Sequence, residues 1–197
     1  MRKQTRLPVA SYVLLLACGL MAEDRGKLML SDDFSTASPK WSGKVGNWEV
    51  VDGVAKVSEK AEDHHAAVRR HPLKYHNGVF EFSFRFDGSN TIALMLDEPG
   101  AHVCFLYISP TGMYLQTGKL KDGTGEATKL ASLDMPIAPG KWHTAVVTVN
   151  GKKMTGQVDG KKIEGESPRI DVDKVDFGFL VGGVYGSLDN VKAYELK

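Results

Sequence analysis

Val79-Phe80-Glu81-Phe82-Ser83-Phe84-Arg85-Phe86 alternates aromatic and non-aromatic residues without a break. Successive side chains on a β-strand point to opposite faces. One face of this segment therefore carries Phe80, Phe82, Phe84 and Phe86, and the other carries Val79, Glu81, Ser83 and Arg85. Four aromatics in a line predict a strand whose inner face is core. The mixed face is left for water or a groove.

The segments around it read the same way. Downstream, Thr91–Asp97 and His102–Ser109 flank the turn Glu98-Pro99-Gly100, and Met113–Thr117 continues the meander into a polar, glycine-rich loop, Gly118–Gly125. Lys141–Val149, Lys153–Val158 and Lys161–Glu164 are joined by Asn150-Gly151 and Asp159-Gly160, both hairpin signals. Val175–Val181 and Ser187–Leu196 close the chain. Upstream lie Lys27–Phe34, a Ser- and Gly-rich loop holding Trp41, a hairpin of Asn47–Val51 and Val54–Ser58 about Asp52-Gly53, and Ala66–Arg70. No segment after the N-terminal one has helical periodicity. Many short strands at regular spacing predict a single all-β domain over residues 27–197, a two-sheet antiparallel β-sandwich.

The composition fits an ordinary globular chain: 197 residues, 42% hydrophobic and 25% charged. The first 22 residues hold Arg2, Lys3 and Arg6, no acid, and the apolar stretch Val9–Ala17. That order predicts a secretory signal peptide, too short to span a bilayer as a stable anchor. Cleavage after Ala22 would leave a soluble chain. Alternatively, Leu15-Leu16-Ala17-Cys18 resembles a lipobox, with Cys18 the lipid-anchored first residue. Either route places the domain outside the cytoplasm, periplasmic or extracellular. The whole chain's +1, less the three N-terminal cations, leaves −2. Such a domain has no electrostatic footprint for nucleic acid, and Arg69-Arg70 and Lys161-Lys162 read as solvated pairs. Without Cys18, Cys104 has no disulfide partner and reads as a buried, inert thiol.

Several chemistries are excluded. The sequence has no P-loop, no H-E-x-x-H, no C-x-x-C and no G-x-S-x-G. Asp171, Asp173 and Asp176 suggest a calcium loop, but Asp176 and Gly182 stand where its glycine and glutamate are needed. Three groups of residues remain. Asp63-His64-His65 offers imidazoles beside a carboxylate, for a general base or metal ligand, against loop histidines facing water. Glu81 and Arg85 share the polar face of the aromatic strand, for hydroxyl or oxyanion contacts, against a surface ion-pair ladder. Asp33 and Asp189-Asn190 sit on first and last strands expected to be neighbours, for a structural calcium ion, against turn residues bonding their own backbone. The short connection from Asp63 to the aromatic strand predicts one site: His64 or His65 as base, Arg85 as clamp and Glu81 orienting one of them.

Ser31-Asp32-Asp33-Phe34, Trp48-Glu49-Val50-Val51-Asp52-Gly53, Gly140-Lys141-Trp142-His143-Thr144 and Gly186-Ser187-Leu188-Asp189-Asn190-Val191 occur in that order. Together they resemble the secreted concanavalin A-like jelly rolls of the 3-keto-disaccharide hydrolase domain family, loosely grouped with family-16 glycoside hydrolases. The resemblance implies a jelly roll with a face suited to a saccharide ligand or substrate. It also implies hydrolysis of a 3-keto-glycoside by base-assisted elimination. The alternative is a non-catalytic carbohydrate-binding or envelope scaffold module. The family-16 motif E-x-D-x-x-E is absent, so no catalytic residue carries over from the resemblance and direct retaining hydrolysis by that pair is not expected.

Overall fold

A computed structural model describes residues 25–196; the predicted signal peptide and Cys18 lie outside the described residues. Fourteen strands follow one another: β1 (Lys27–Asp32), β2 (Asn47–Val51), β3 (Val54–Ser58), β4 (Ala67–Tyr75), β5 (Gly78–Phe86), β6 (Ser89–Glu98), β7 (Ala101–Ser109), β8 (Gly112–Thr117), β9 (Lys129–Asp134), β10 (His143–Asn150), β11 (Lys153–Val158), β12 (Lys161–Glu166), β13 (Lys174–Gly183) and β14 (Gly186–Glu195). Two short 3-10 turns, Ala61–Asp63 and Pro168–Ile170, are the helical pieces among the described residues.

The strands form two antiparallel sheets. One has eight strands in the order β12-β11-β10-β5-β14-β3-β2, with β1 also beside β14; the other has six, β4-β13-β6-β7-β8-β9. Two of the two-residue turns take the backbone their sequences demand; the third falls on Gly151-Lys152, because Asn150 still pairs with Lys153. Asp52 and Gly53 both have positive φ (53° and 73°), as do Asp159 and Gly160 (46° and 81°), the requirement of a type I′ hairpin. Two strands exceed the sequence reading. β4 runs on through Pro72 to Tyr75, which is tolerated because β4 is an edge strand. β9 pairs with β8, but no residue in it is fully buried, so it has no strong alternation to read.

The four phenylalanines of β5 face inward as expected. Phe80 meets Phe177 at 5.1 Å between ring centroids and Phe82 meets Phe179 at 5.0 Å, both across the sandwich on β13. Trp41, from the loop after β1, fills the end of this layer. It stacks on Trp48 at 5.4 Å and meets Phe177 edge-on at 5.6 Å. Its indole Nε1 donates to Asp32 Oδ2 at 2.8 Å, satisfying a donor that would otherwise be buried unpaired. Lys174 poses the same problem, a buried donor, with a charge added. Its buried ammonium donates to the carbonyls of His76, Ile170 and Val172, each at 2.8 Å. Cys104 is fully buried, and burial pushes its thiol up to about 12, an inert state.

Phe82→Ala removes a ring packed against both sheets and should cost about 3–5 kcal/mol of stability. Ser83→Ala, on the opposite face of the same strand, should stay within about 0.5 kcal/mol. Urea unfolding of the two variants beside the parent checks both.

Candidate functional site

The structure separates the residues that the sequence gathered into one site. Glu81 and Arg85 stand on the outward face of β5, in the eight-stranded sheet. Glu81 lies 2.8 Å from Arg25 Nε, an ionic contact rather than an aligned hydrogen bond, since Glu81 Oε1 has no hydrogen-bond partner. Arg85 Nε donates to Asp87 Oδ1 at 2.7 Å. The Asp63–His65 segment instead borders the outward face of the six-stranded sheet. Asp63 Oδ2 accepts from the Gly46 amide at 2.5 Å, His64 closes a 3-10 turn in left-handed backbone, and His65 edges a cavity there. Sequence proximity failed because β4 crosses to the opposite sheet before β5 begins.

That outward face of the six-stranded sheet holds the richer chemistry. Phe105 and Tyr107 project from β7, and Tyr114 stands opposite Tyr107 on β8. Phe105 and Tyr107 stack at 5.1 Å, Tyr107 and Tyr114 at 4.7 Å and 15° between planes, and Lys129 Nζ lies 4.6 Å over Tyr114. Val68, Met95 and Leu180 pack against this row. A cavity of about 370 Å³ opens over Val68, Met95, Phe105, Tyr107 and Leu180 and reaches Arg70 and His102. A second, of about 280 Å³, continues from Arg70 and His102 to Asp97 and Asp176.

Asp97, Asp176, Arg70 and His102 come from four different strands. Asp176 is the cross-strand partner of Asp97. Two β-bulges aim them: the β6–β7 register shifts between Leu96 and Asp97, setting Asp97 opposite His102, and the β13–β4 register shifts between Lys174 and Asp176. Arg70 Nε donates to Asp97 Oδ2 at 2.8 Å, and His102 Nδ1 lies 2.7 Å from Asp97 Oδ1. Arg169 pins the corner, pairing with Glu98 at 2.6 Å and donating to the His102 carbonyl at 2.8 Å.

The two carboxyls are pushed apart. Burial alone would raise Asp97, which is 4% exposed, but the His102 and Arg70 hydrogen bonds outweigh it and hold the carboxyl below its ordinary range. Burial, then the neighbouring Asp97 charge, pushes Asp176 up to about 6. Its Oδ1 is buried with no hydrogen-bond partner and only approaches Arg70 Nε, at 3.9 Å. An ionised Asp97 must accept from Nδ1–H of His102, which leaves Nε2 as the imidazole's free basic nitrogen. The cluster can thus present a base at Nε2, a cation at Arg70 and a carboxylic acid at Asp176.

None of these four belongs to the three groups that the sequence offers as candidates. Arg70 reads there as half of a solvated pair, and Asp176 only as the residue standing where a calcium loop needs glycine. The available signal was the outward register of Arg70, Asp97 and Asp176 on strands whose other face is core. The expected neighbouring of first and last strands holds: Asp32 of β1 pairs with Val191 of β14. Asp33 Oδ1 accepts from the Ser35 amide at 3.0 Å, and Asp189 accepts from the Asn190 amide at 2.6 Å, where β14 bulges. Both carboxylates serve local backbone, and among the described residues no group of three or more His, Cys, Asp or Glu could hold a metal ion.

No protein-family model matches the chain. Solved structures do resemble it. The carbohydrate-binding module CBM66 from Bacillus subtilis aligns with a TM-score of 0.66 and 14% identity, covering 79% of this chain and 96% of that one. A Bacillus licheniformis β-glucanase aligns with a TM-score of 0.65 and 10% identity, covering 87% and 99%. A β-1,3-1,4-glucanase (lichenase) from a mouse hindgut metagenome gives 0.59 and 11%, covering 84% and 98%. The fold is therefore the concanavalin A-like jelly-roll sandwich. No helix among the described residues is long and apolar enough to cross a membrane.

Asp176 gives the fold a pH signature. Its folded pKa, about 6, lies above an unfolded value of about 3.9, so the native state binds the extra proton. Its contribution to stability is full below about pH 4 and is lost as pH rises through about 6. Asp97, held low, works with opposite sign and only in more acidic solution. Urea unfolding between pH 4.5 and 7 should show stability falling in this window, and Asp176→Asn should flatten that slope.

Proposed function

We propose that this chain is a saccharide-associated domain whose ligand lies along the outward face of the six-stranded sheet. The observation that carries the reading is the Phe105–Tyr107–Tyr114 row running into the Arg70–Asp97–His102–Asp176 cluster. Sugar rings are apolar on their C–H faces and polar at their rims, so stacked aromatics beside charged hydrogen-bonding groups suit them. The carbohydrate-binding and glucanase structures of like fold support a saccharide-associated role. The basic, apolar, small order of residues 1–22 supports export to where such glycans are met.

The finer activity is elimination from a 3-keto-glycoside. The ketone at C3 acidifies the C2 proton. His102 Nε2, oriented by Asp97, removes that proton, and Arg70 stabilises the enolate charge. The C1–O bond breaks as C1=C2 forms, and the leaving oxygen takes its proton from Asp176. Addition of water across C1=C2 completes the net hydrolysis. Non-catalytic binding is the second reading, favoured by the aromatic row itself.

Tyr107→Ala, which opens the middle of the aromatic row, should weaken glycan binding about tenfold, the equivalent of roughly 1.4 kcal/mol, as measured by calorimetry. Purified protein should cleave 3-keto-trehalose or 3-keto-glucosides, and His102→Ala should abolish turnover while leaving binding within a few-fold. His64→Ala should leave turnover unchanged. Glycan binding without turnover of any keto-sugar would establish the binding module.

A further inference from the structure

The opposite side of the sandwich carries a second cleft built on different residues. Outward side chains of the eight-stranded sheet form a cross-strand row at the level of Arg85. Arg85 pairs with Ser187, Ser187 with Lys56, and Lys56 with Glu49. Ser187 is small and fully buried beneath the longer side chains on either side. A cavity of about 430 Å³ over this row is lined by Glu49, Val51, Lys56, Arg85, Asp87 and Tyr185.

The cleft is held rigidly. Asp87 Oδ1 accepts from Arg85 Nε at 2.7 Å, and its Oδ2 accepts from Ser187 Oγ at 2.5 Å. The Tyr185 carbonyl accepts from the amides of Asp87 and Ser89 at 3.0 and 2.8 Å, fixing the turn that presents its ring. Tyr185, in the lining, is 45% exposed, and Trp142, which touches the cleft through Arg85, is 41% exposed. The Arg85 guanidinium sits 4.8 Å over the Trp142 ring, which orients both. With Nε committed to Asp87, the two terminal amino groups of Arg85 remain as donors.

We infer that this cleft is a second saccharide site that takes a neutral pyranose unit, so that one domain can hold two glycan chains on opposite faces. The charge balance selects the ligand class. Arg85 and Lys56 are offset by Asp87 and Glu49, so the cleft has no net charge with which to draw an anion. It offers donors at Arg85 and Lys56 and an acceptor at Glu49, the mixture that ring hydroxyls need. Two rings beside it supply surface for the sugar's C–H faces. The volume falls in the range of small-ligand sites, roughly 300–1,000 Å³. None of these residues touches the Tyr107 face, so the inference stands apart from the function proposed above. Two sites on opposite faces would give avidity only for ligands that present two chains.

Trp142 provides the readout. The other two tryptophans, Trp41 and Trp48, pack in or against the core, and the Tyr107 face has none. Intrinsic fluorescence is titrated with neutral hexasaccharides (laminari-, cello-, xylo- and mannohexaose) and with tri-galacturonate. At least one neutral sugar should shift Trp142 emission, and the shift should persist in Tyr107→Ala/Tyr114→Ala. Arg85→Met/Tyr185→Ala, confirmed as folded by near-UV circular dichroism, should lose the shift at least tenfold in affinity while retaining calorimetric binding at the Tyr107 face. A Trp142 response that survives when the Tyr107 face binds nothing supports the second site and overturns the first. Binding confined to the Tyr107 face overturns the second site alone, and tri-galacturonate outcompeting every neutral sugar overturns the ligand class.

Discussion

The ring contacts of Phe80 and Phe82 with Phe177 and Phe179 across the sandwich fix what each face of this molecule can do. A strand has two faces, and once β5 and β13 give one face each to the shared core, that face is closed to chemistry. Everything functional has to sit on the outward positions, and these lie on two surfaces separated by the full thickness of the sandwich. This constraint keeps Glu81 and Arg85 apart from His65, however close they are in sequence. A one-residue slip of β5 would exchange the phenylalanines for Glu81 and Arg85 and bury charge in the core, so the assignment of faces cannot drift.

The two outward surfaces use charge differently. On the eight-stranded sheet, the acids are paired or matched to nearby cations: Glu81 with Arg25, Asp87 with Arg85. On the six-stranded sheet, two aspartates are cross-strand partners and share one arginine unequally, at 2.8 Å from Asp97 and 3.9 Å from Asp176. Like charges directly opposite on a sheet are destabilising, and the structure relieves this by favouring a proton on Asp176 rather than by adding a second cation. Unequal neighbours that drive two carboxyls apart are the arrangement acid–base sites use. A merely structural pair would gain more from a second arginine or an amide at position 176.

The architecture was legible because it rests on local rules. The alternation from Val79 to Phe86, the Asp52-Gly53 and Asp159-Gly160 turns and the lack of helical period each act over a few residues, and each appears as expected. The site was not legible because it depends on register between strands far apart in the chain. Nothing local to Arg70 says that its neighbour across β13 will lie beside Asp97. The bulges that set Asp97 opposite His102 and shift β4 against Asp176 have no distinctive residue in the sequence. Asp33 and Asp189 follow local rules instead: their oxygens accept from backbone amides at the end of β1 and at the β14 bulge.

Rigidity links the cluster to the aromatic row. Met95 lies between them: it packs with Phe105 and Val68, and its sulfur is 4.0 Å from Arg70 Nη2. Phe105 in turn lies 5.1 Å from the His102 ring. A sugar laid along this row would therefore bear on side chains already in contact with the base and the cation. Binding energy gained along the aromatic row can then hold a sugar carbon against His102 Nε2 without ordering new loops, because every group involved stands on a strand. The same continuity explains why a site of this kind can serve binding alone or binding with chemistry. The platform and the titratable cluster share one rigid sheet, and the choice between the two depends on whether the bound sugar presents a proton acidic enough for an imidazole to remove.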